Sequence, residues 1–129
     1  MSKNKNNELI WSTRIKKSST SLFKKIGGSL SIDKRLFNED IEASIAHVEM
    51  LFKQKIINFK IKNKIIWGLN KIKNEIIKKK FLYNEELEDI HMNIEKRLFD
   101  IIGEDAGYIH TARSRNDQVI TDFKIWLKK

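Results

Sequence analysis

The chain has 129 residues, a formal net charge of +9, 33% charged and 40% hydrophobic residues, and neither cysteine nor proline. That length allows one domain with a real core, and the missing cysteines exclude a disulfide framework or a thiolate metal centre. No apolar run is long enough to cross a bilayer and the opening MSKNKNNELIW has no signal-peptide apolar region, so a cytoplasmic chain with no membrane partner is expected.

Residues 1–32 are polar and basic, with the Ser-rich stretch STRIKKSSTSLFKKIGGS and a helix-breaking Gly27-Gly28 pair, and read as an irregular arm. From Asp33 or Asn38 the pattern turns helical, with Ile41, Ile45, Val48, Leu51, Phe52 and Ile56 on one face. Asn38 is a candidate cap, and Glu39 and Asp40 complement the helix dipole. A second helix carries Ile61, Ile65, Ile66, Leu69, Ile72, Ile76 and Ile77 and ends in Lys78-Lys79-Lys80. A third is expected to open at Asn84, bury Ile90, Ile94, Leu98 and Ile101 or Ile102, and close at Gly103. The fourth begins near Ser114 and carries Val119, Phe123, Trp126 and Leu127.

Without strand-like alternation, the fold class is all-α, with a core of Ile41, Val48, Phe52, Leu69, Ile72, Ile94 and Leu98. Trp67, at helical spacing, is assigned to the core too. The fourth helix stays apolar almost to Lys129 with no stop signal, which suggests a piece of a longer protein. The positive charge raises a nucleic-acid reading, but its lysines are scattered and arginines suited to bidentate phosphate contacts are few, so no nucleic-acid partner is expected.

The densest chemistry lies in GYIHTARSRNDQVITD, residues 107–122. Ser114-Arg115-Asn116-Asp117 has the serine-x-x-acid form of a capping box just before an apolar run. Capping by Ser114 would set Arg115 and Asn116 in a first turn with unpaired backbone N–H groups, an end suited to anions. Arg113 and Arg115 add fork donors matched to a carboxylate, and His110 and Thr111 lie on the approach. The plain alternative is an ordinary surface helix start, with Arg115 paired to Asp117 or Asp122. Upstream, His91 and Glu95 stand four apart on one helix face beside Asp89. No further ligand is evident nearby, so no metal is expected, and the cluster is read as a buttress for the HTARSRND loop. His47 shows no partner and reads as an ordinary helix histidine.

HTARSRNDQV resembles the signature of the argininosuccinate lyase family, within the fumarase/aspartase superfamily. The resemblance runs continuously through LEDIHMNIEKRLFDIIGEDAGYIHTARSRNDQVITDFKIWL, and SIDKRLFNEDIEASIAHVEML and GLNKIKNEI are similar to the family's preceding helices. The family's WGGRF-like start is here Trp11-Ser12-Thr13-Arg14-Ile15, both glycines replaced, and GGSLSIDK stands where the family tends to have NASIDFDK.

This resemblance implies residues 33–112 as the N-terminal helical domain of such a lyase and 113–129 as the first turns of its central bundle. It implies reversible β-elimination of argininosuccinate to arginine and fumarate in arginine biosynthesis, without a cofactor, by a homotetramer. Ser29, Arg113 and Asn116 are the implied substrate contacts, with Asp89, His91, Thr111 and Arg115 in support. The family's proton-abstracting serine sits in a Gly-Ser-Ser loop with no counterpart in this sequence, so the chain alone is expected to be inactive. Two alternatives remain: a superfamily relative such as adenylosuccinate lyase, or a non-enzymatic helical structural or binding protein derived from the lyase fold.

Overall fold

The computed structural model describes residues 21–129, and all regular structure among them is helical. In chain order these are α1 (Ser21–Gly27), α2 (Leu30–Asp33), a 3₁₀ turn (Lys34–Leu36), α3 (Phe37–Lys53), α4 (Phe59–Ile77), α5 (Ile90–Ile102), a 3₁₀ segment (Gly103–His110) and α6 (Arg115–Lys128). Helix α3 packs against both α4 and α6, and α5 lies on α4 and on the 3₁₀ segment that follows it.

The periodic apolar positions converge. Ile41, Val48 and Leu51 from α3 meet Ile65, Leu69 and Ile72 from α4 and Ile90, Ile94, Leu98 and Ile102 from α5, all buried. Each such side chain stabilises the fold by roughly 1.5–3 kcal/mol relative to exposure. Close approach of α4 and α5 depends on Gly68, where a Cβ would stand 2.6 Å from Leu98 Cδ1 and 3.2 Å from Ile102 Cγ2. Asn58 caps α4 through Ile61 N–H at 2.9 Å, and α5 stops at Gly103, whose φ of 77° suits glycine.

Six of the seven expected core residues are buried, while Phe52 is half-buried. Its ring lies edge-on to Phe59 at 6.0 Å, with the Lys62 ammonium 4.6 Å from its centre. Trp67 is 56% exposed, contrary to the core assignment. The buried stripe of α4 runs through Ile65, Gly68, Leu69 and Ile72, and Trp67 projects to its side.

Three boundaries also differ. Of the arm expected over 1–32, residues 1–20 lie outside the described residues, and 21–27 and 30–33 are helical. Asn38 does not cap α3, because the 3₁₀ turn runs straight into the helix and leaves no extended residue to act as cap. The third helix starts at Ile90 rather than Asn84. Asn84 instead forms a local turn with Glu86 N–H and is pinned by Asn93, while extended Asp89 caps α5 through Met92 N–H at 2.7 Å.

Candidate carboxylate-binding site

Ser114 caps α6 as its sequence suggests, its hydroxyl accepting from Asp117 N–H at 3.2 Å. Ahead of the capped Asp117, the first-turn N–H groups of Arg115 and Asn116 have no helical partner, and the exposed Asn116 side chain has none among the described residues. Arg113 donates one N–H to the buried Ser44 hydroxyl at 2.9 Å and is half-buried, with its remaining guanidinium donors unpaired among the described residues. A fork of free donors next to a helix N-terminus has the chemistry to receive an anion of carboxylate geometry.

The loop that presents these groups is held from two helices. From α3, His47 Nε2 lies 2.8 Å from the Thr111 carbonyl, so it does have a partner. Burial lowers its pKa, opposed by the Thr111 carbonyl and helped by the positive charge of Arg113. The ring is therefore neutral at pH 7 and donates its Nε2–H. From α5, the buried Glu95 carboxylate receives Arg115 at 2.8 and 2.9 Å and lies 3.2 Å from His110 Nε2. Burial would raise the Glu95 pKa, but hydrogen bonds from His110 and Arg115 outweigh it and hold it below the usual value. Between these anchors Ala112 adopts φ 56°, a left-handed conformation costly for a residue with a Cβ.

Arg115 thus turns inward. It meets Glu95 and, at 2.7 Å, the side-chain oxygen Oε1 of Gln118, rather than Asp117 or Asp122. Gln118 in turn donates to Asp40 Oδ1 at 2.6 Å, and His91 Nδ1 lies 3.0 Å from the same oxygen. Asp122 completes the cluster 3.3 Å from His91 Nδ1. The three ligand-type groups Asp40, His91 and Asp122 lie within 4.8 Å of one another, but Asp40 Oδ1 already serves two hydrogen bonds that a cation would displace. Burial would pull the His91 pKa down, yet the hydrogen bond and charge of Asp40 hold it up. Burial would likewise raise Asp40, and His91 with Gln118 keeps it below the usual carboxylate range.

Of the residues marked from sequence, Arg113, Asn116, Thr111 and Arg115 come together on this loop and helix start. Of the expected buttress, Glu95 alone touches the loop directly; Asp89 is a helix cap, and His91 acts through Asp40 and Gln118. Ser29 lies at a separate junction, its N–H donating to the Glu88 carbonyl at 2.7 Å and its hydroxyl to Asp33 at 2.6 Å. No hydrogen bond joins it to Arg113 or Asn116 among the described residues.

The profile of a protein family described as Lyase matches residues 13–129. The chain belongs to this lyase family. It is 74% identical to an argininosuccinate lyase of Pelagibacter ubique (strain HTCC1062), over 98% of the chain and 27% of that relative. It is 51% identical to the argininosuccinate lyase of Ehrlichia canis (strain Jake), and 50% identical to that of Campylobacter jejuni subsp. doylei, each over 93% of the chain and 26% of the relative. The chain therefore spans about a quarter of the length of the curated relatives it matches. No helix among the described residues is long and apolar enough to cross a membrane.

Within this lyase segment, sequence reasoning missed Asp40, Ser44, Gln118 and Asp122. A signal was available. Asp40 and Ser44, His91 and Glu95, and Gln118 and Asp122 are each four apart, and all six are buried. Three helices each turn one polar pair into a shared interface. On α6 this inverts the usual pattern, because Val119, Phe123, Trp126 and Leu127 are exposed while Gln118 and Asp122 are covered.

Proposed function

We propose that this chain is the N-terminal part of an argininosuccinate lyase, cytoplasmic and homotetrameric when whole, and that the start of α6 binds a carboxylate of the succinate half of its substrate. The observation that carries the reading is Arg113, steadied by Ser44 on one side and free on the other, next to unpaired Asn116 at the open end of α6. The identity to argininosuccinate lyases supports the choice of dicarboxylate.

In the reaction a base takes a proton from the carbon beside a carboxylate, the electrons form the fumarate double bond, and the guanidino nitrogen leaves to become arginine. Negative charge gathers on that carboxylate before the nitrogen departs, so donors fixed in advance stabilise the transition state. Arg113 and Asn116 supply those donors, while Thr111 and Arg115 shape the approach. Ser29 plays a different part: with its hydrogen given to Asp33, its hydroxyl offers lone pairs to a substrate N–H. Asp89 and His91 support the helices beneath. The base lies outside this chain, as do the further copies whose helices would cover Phe123, Trp126 and Leu127; residues 113–129 begin that bundle.

The test is Arg113→Ala in an intact argininosuccinate lyase carrying this segment. Turnover should fall on the order of a hundredfold or more, while stability falls by about 1 kcal/mol from the lost Ser44 bond. An unchanged rate would reduce Arg113 to a helix-end charge. Purified alone, the 129-residue chain should release no fumarate from argininosuccinate above background.

A further inference from the structure

The hydrogen-bond accounting of the Asp40, His91 and Asp122 cluster does not close with two ionised carboxylates. Asp40 Oδ1 accepts from His91 Nδ1 and from Gln118 Nε2. Asp122 is 0% exposed, and neither of its oxygens receives a hydrogen from any protein donor among the described residues. The single hydrogen on His91 Nδ1 is directed at Asp40, leaving Asp122 3.3 Å away without it. The nearest polar neighbour left to it is the Asp40 carboxylate, another acceptor, an oxygen of which lies within 4.8 Å. Two acceptors form a hydrogen bond only if one of them carries a proton. A buried carboxylate with no donor is also costly to ionise, most of all beside a second one.

We propose that Asp122 is a neutral carboxylic acid at physiological pH, donating its proton to Asp40, and that this shared proton positions the first turn of α6 through the chain Asp40, Gln118 and Arg115. The charge balance agrees. With His91 a cation (its Nε2–H buried and without an acceptor among the described residues), Asp40 an anion and Asp122 neutral, the buried cluster is uncharged. Ionising Asp122 would leave it with a net negative charge away from water. The charged or titratable groups facing Asp122 are Asp40 from α3, His91 from α5 and Arg113 from the loop. Burial and the Asp40 charge raise its pKa to about 8, more than His91 and Arg113 lower it. Gln118 is the relay, because its amide nitrogen grips Asp40 while its oxygen receives Arg115. Asp122 stands four residues beyond Gln118 on the same face, so α6 is fastened to α3 by two consecutive turns.

The sign of the pH dependence follows. The folded chain keeps a proton on Asp122 that the unfolded chain releases near pH 4. The stability this group contributes is complete below that value, declines as pH rises, and is gone above its folded pKa of about 8. Asparagine is close in shape to the protonated acid and keeps the donor at every pH.

Carbon-13 NMR of the Asp122 side-chain carboxyl in the 129-residue chain should show a protonated group at pH 6.5 that titrates near 8. Melting curves of wild type and Asp122→Asn should diverge between pH 5 and 8, the variant ending higher by about 5 °C or more. Hydrogen exchange at the Asp117 and Gln118 amides should quicken in wild type relative to Asp122→Asn over pH 6.5 to 9. A carboxyl titrating near the ordinary aspartate value would overturn the proposal, and this measurement stands even if the variant does not fold. So would zinc or manganese at one equivalent raising the wild-type melting temperature but not that of Asp122→Asn, since a cation would then occupy the place assigned to the proton.

Discussion

Glu95→Ala is the sharpest probe of how the loop from His110 to Ser114 is held. The carboxylate is 7% exposed and is shared by Arg115, at 2.8 and 2.9 Å, and His110, at 3.2 Å. Removing one partner of a fully buried pair costs roughly 3–5 kcal/mol, because the remaining charge is stranded. Arg115 and His110 both reach solvent, their side chains 34% and 42% exposed, and can rehydrate, so the figure must be discounted. About 2 kcal/mol is the resulting expectation. A chain of 129 residues unfolds with an entropy of roughly 0.27 kcal/mol/K, so the melting temperature should drop by about 7 °C. Glu95→Gln keeps one acceptor and should lose about half as much. Glu95 has a lowered pKa, so its contribution is present above the ordinary glutamate value of 4.5 and fades as pH falls through the folded value. The gap between wild type and Glu95→Gln should therefore narrow below about pH 4.5. Calorimetry and urea titration followed by circular dichroism read both effects. A Glu95→Ala chain within about 0.5 kcal/mol of wild type, with no pH dependence in the difference, would refute this account of the loop.

Ala112→Gly should stabilise the chain by about 0.5 kcal/mol, since relief of the left-handed strain exceeds the added freedom of glycine when unfolded; a loss of stability on urea titration would contradict this. Gly68→Val should cost about 1–3 kcal/mol by forcing α4 off Leu98 and Ile102, and a neutral effect would mean that the two helices are not in close contact. Asp89→Ala should cost about 1 kcal/mol through the lost cap on α5, with Asp89→Asn or Asp89→Ser nearly restoring wild-type melting.

The order of the four long helices and most of the core were legible because a 3.6-residue apolar period dominates α3, α4 and α5, whereas the two short helices inside the expected arm were not. The misread start of the third helix has its cause in competition from local polar bonds. Asn84 looks like a helix cap but forms its own turn, while Asp89 captures the true start. Trp67 shows the limit of periodicity, because a large apolar residue one step off the stripe looks like part of it. The capping role of Ser114 was readable from four residues, whereas the inward turn of Arg115 depends on Glu95 twenty positions away and was not. The polar pairs on α3, α5 and α6 carried a pattern visible in the sequence. Reading them as one interface required knowing which helices touch.

The most direct measurement of the central claim is a nitrogen-15 NMR titration of the 129-residue chain with succinate. A dicarboxylate held by Arg113 and the open end of α6 should give saturable shifts at Thr111 to Gln118, in the millimolar range for a site lacking its other contacts. Arg113→Ala should abolish them. Shifts confined to exposed lysines of α4 such as Lys71, or unchanged by Arg113→Ala, would contradict the claim.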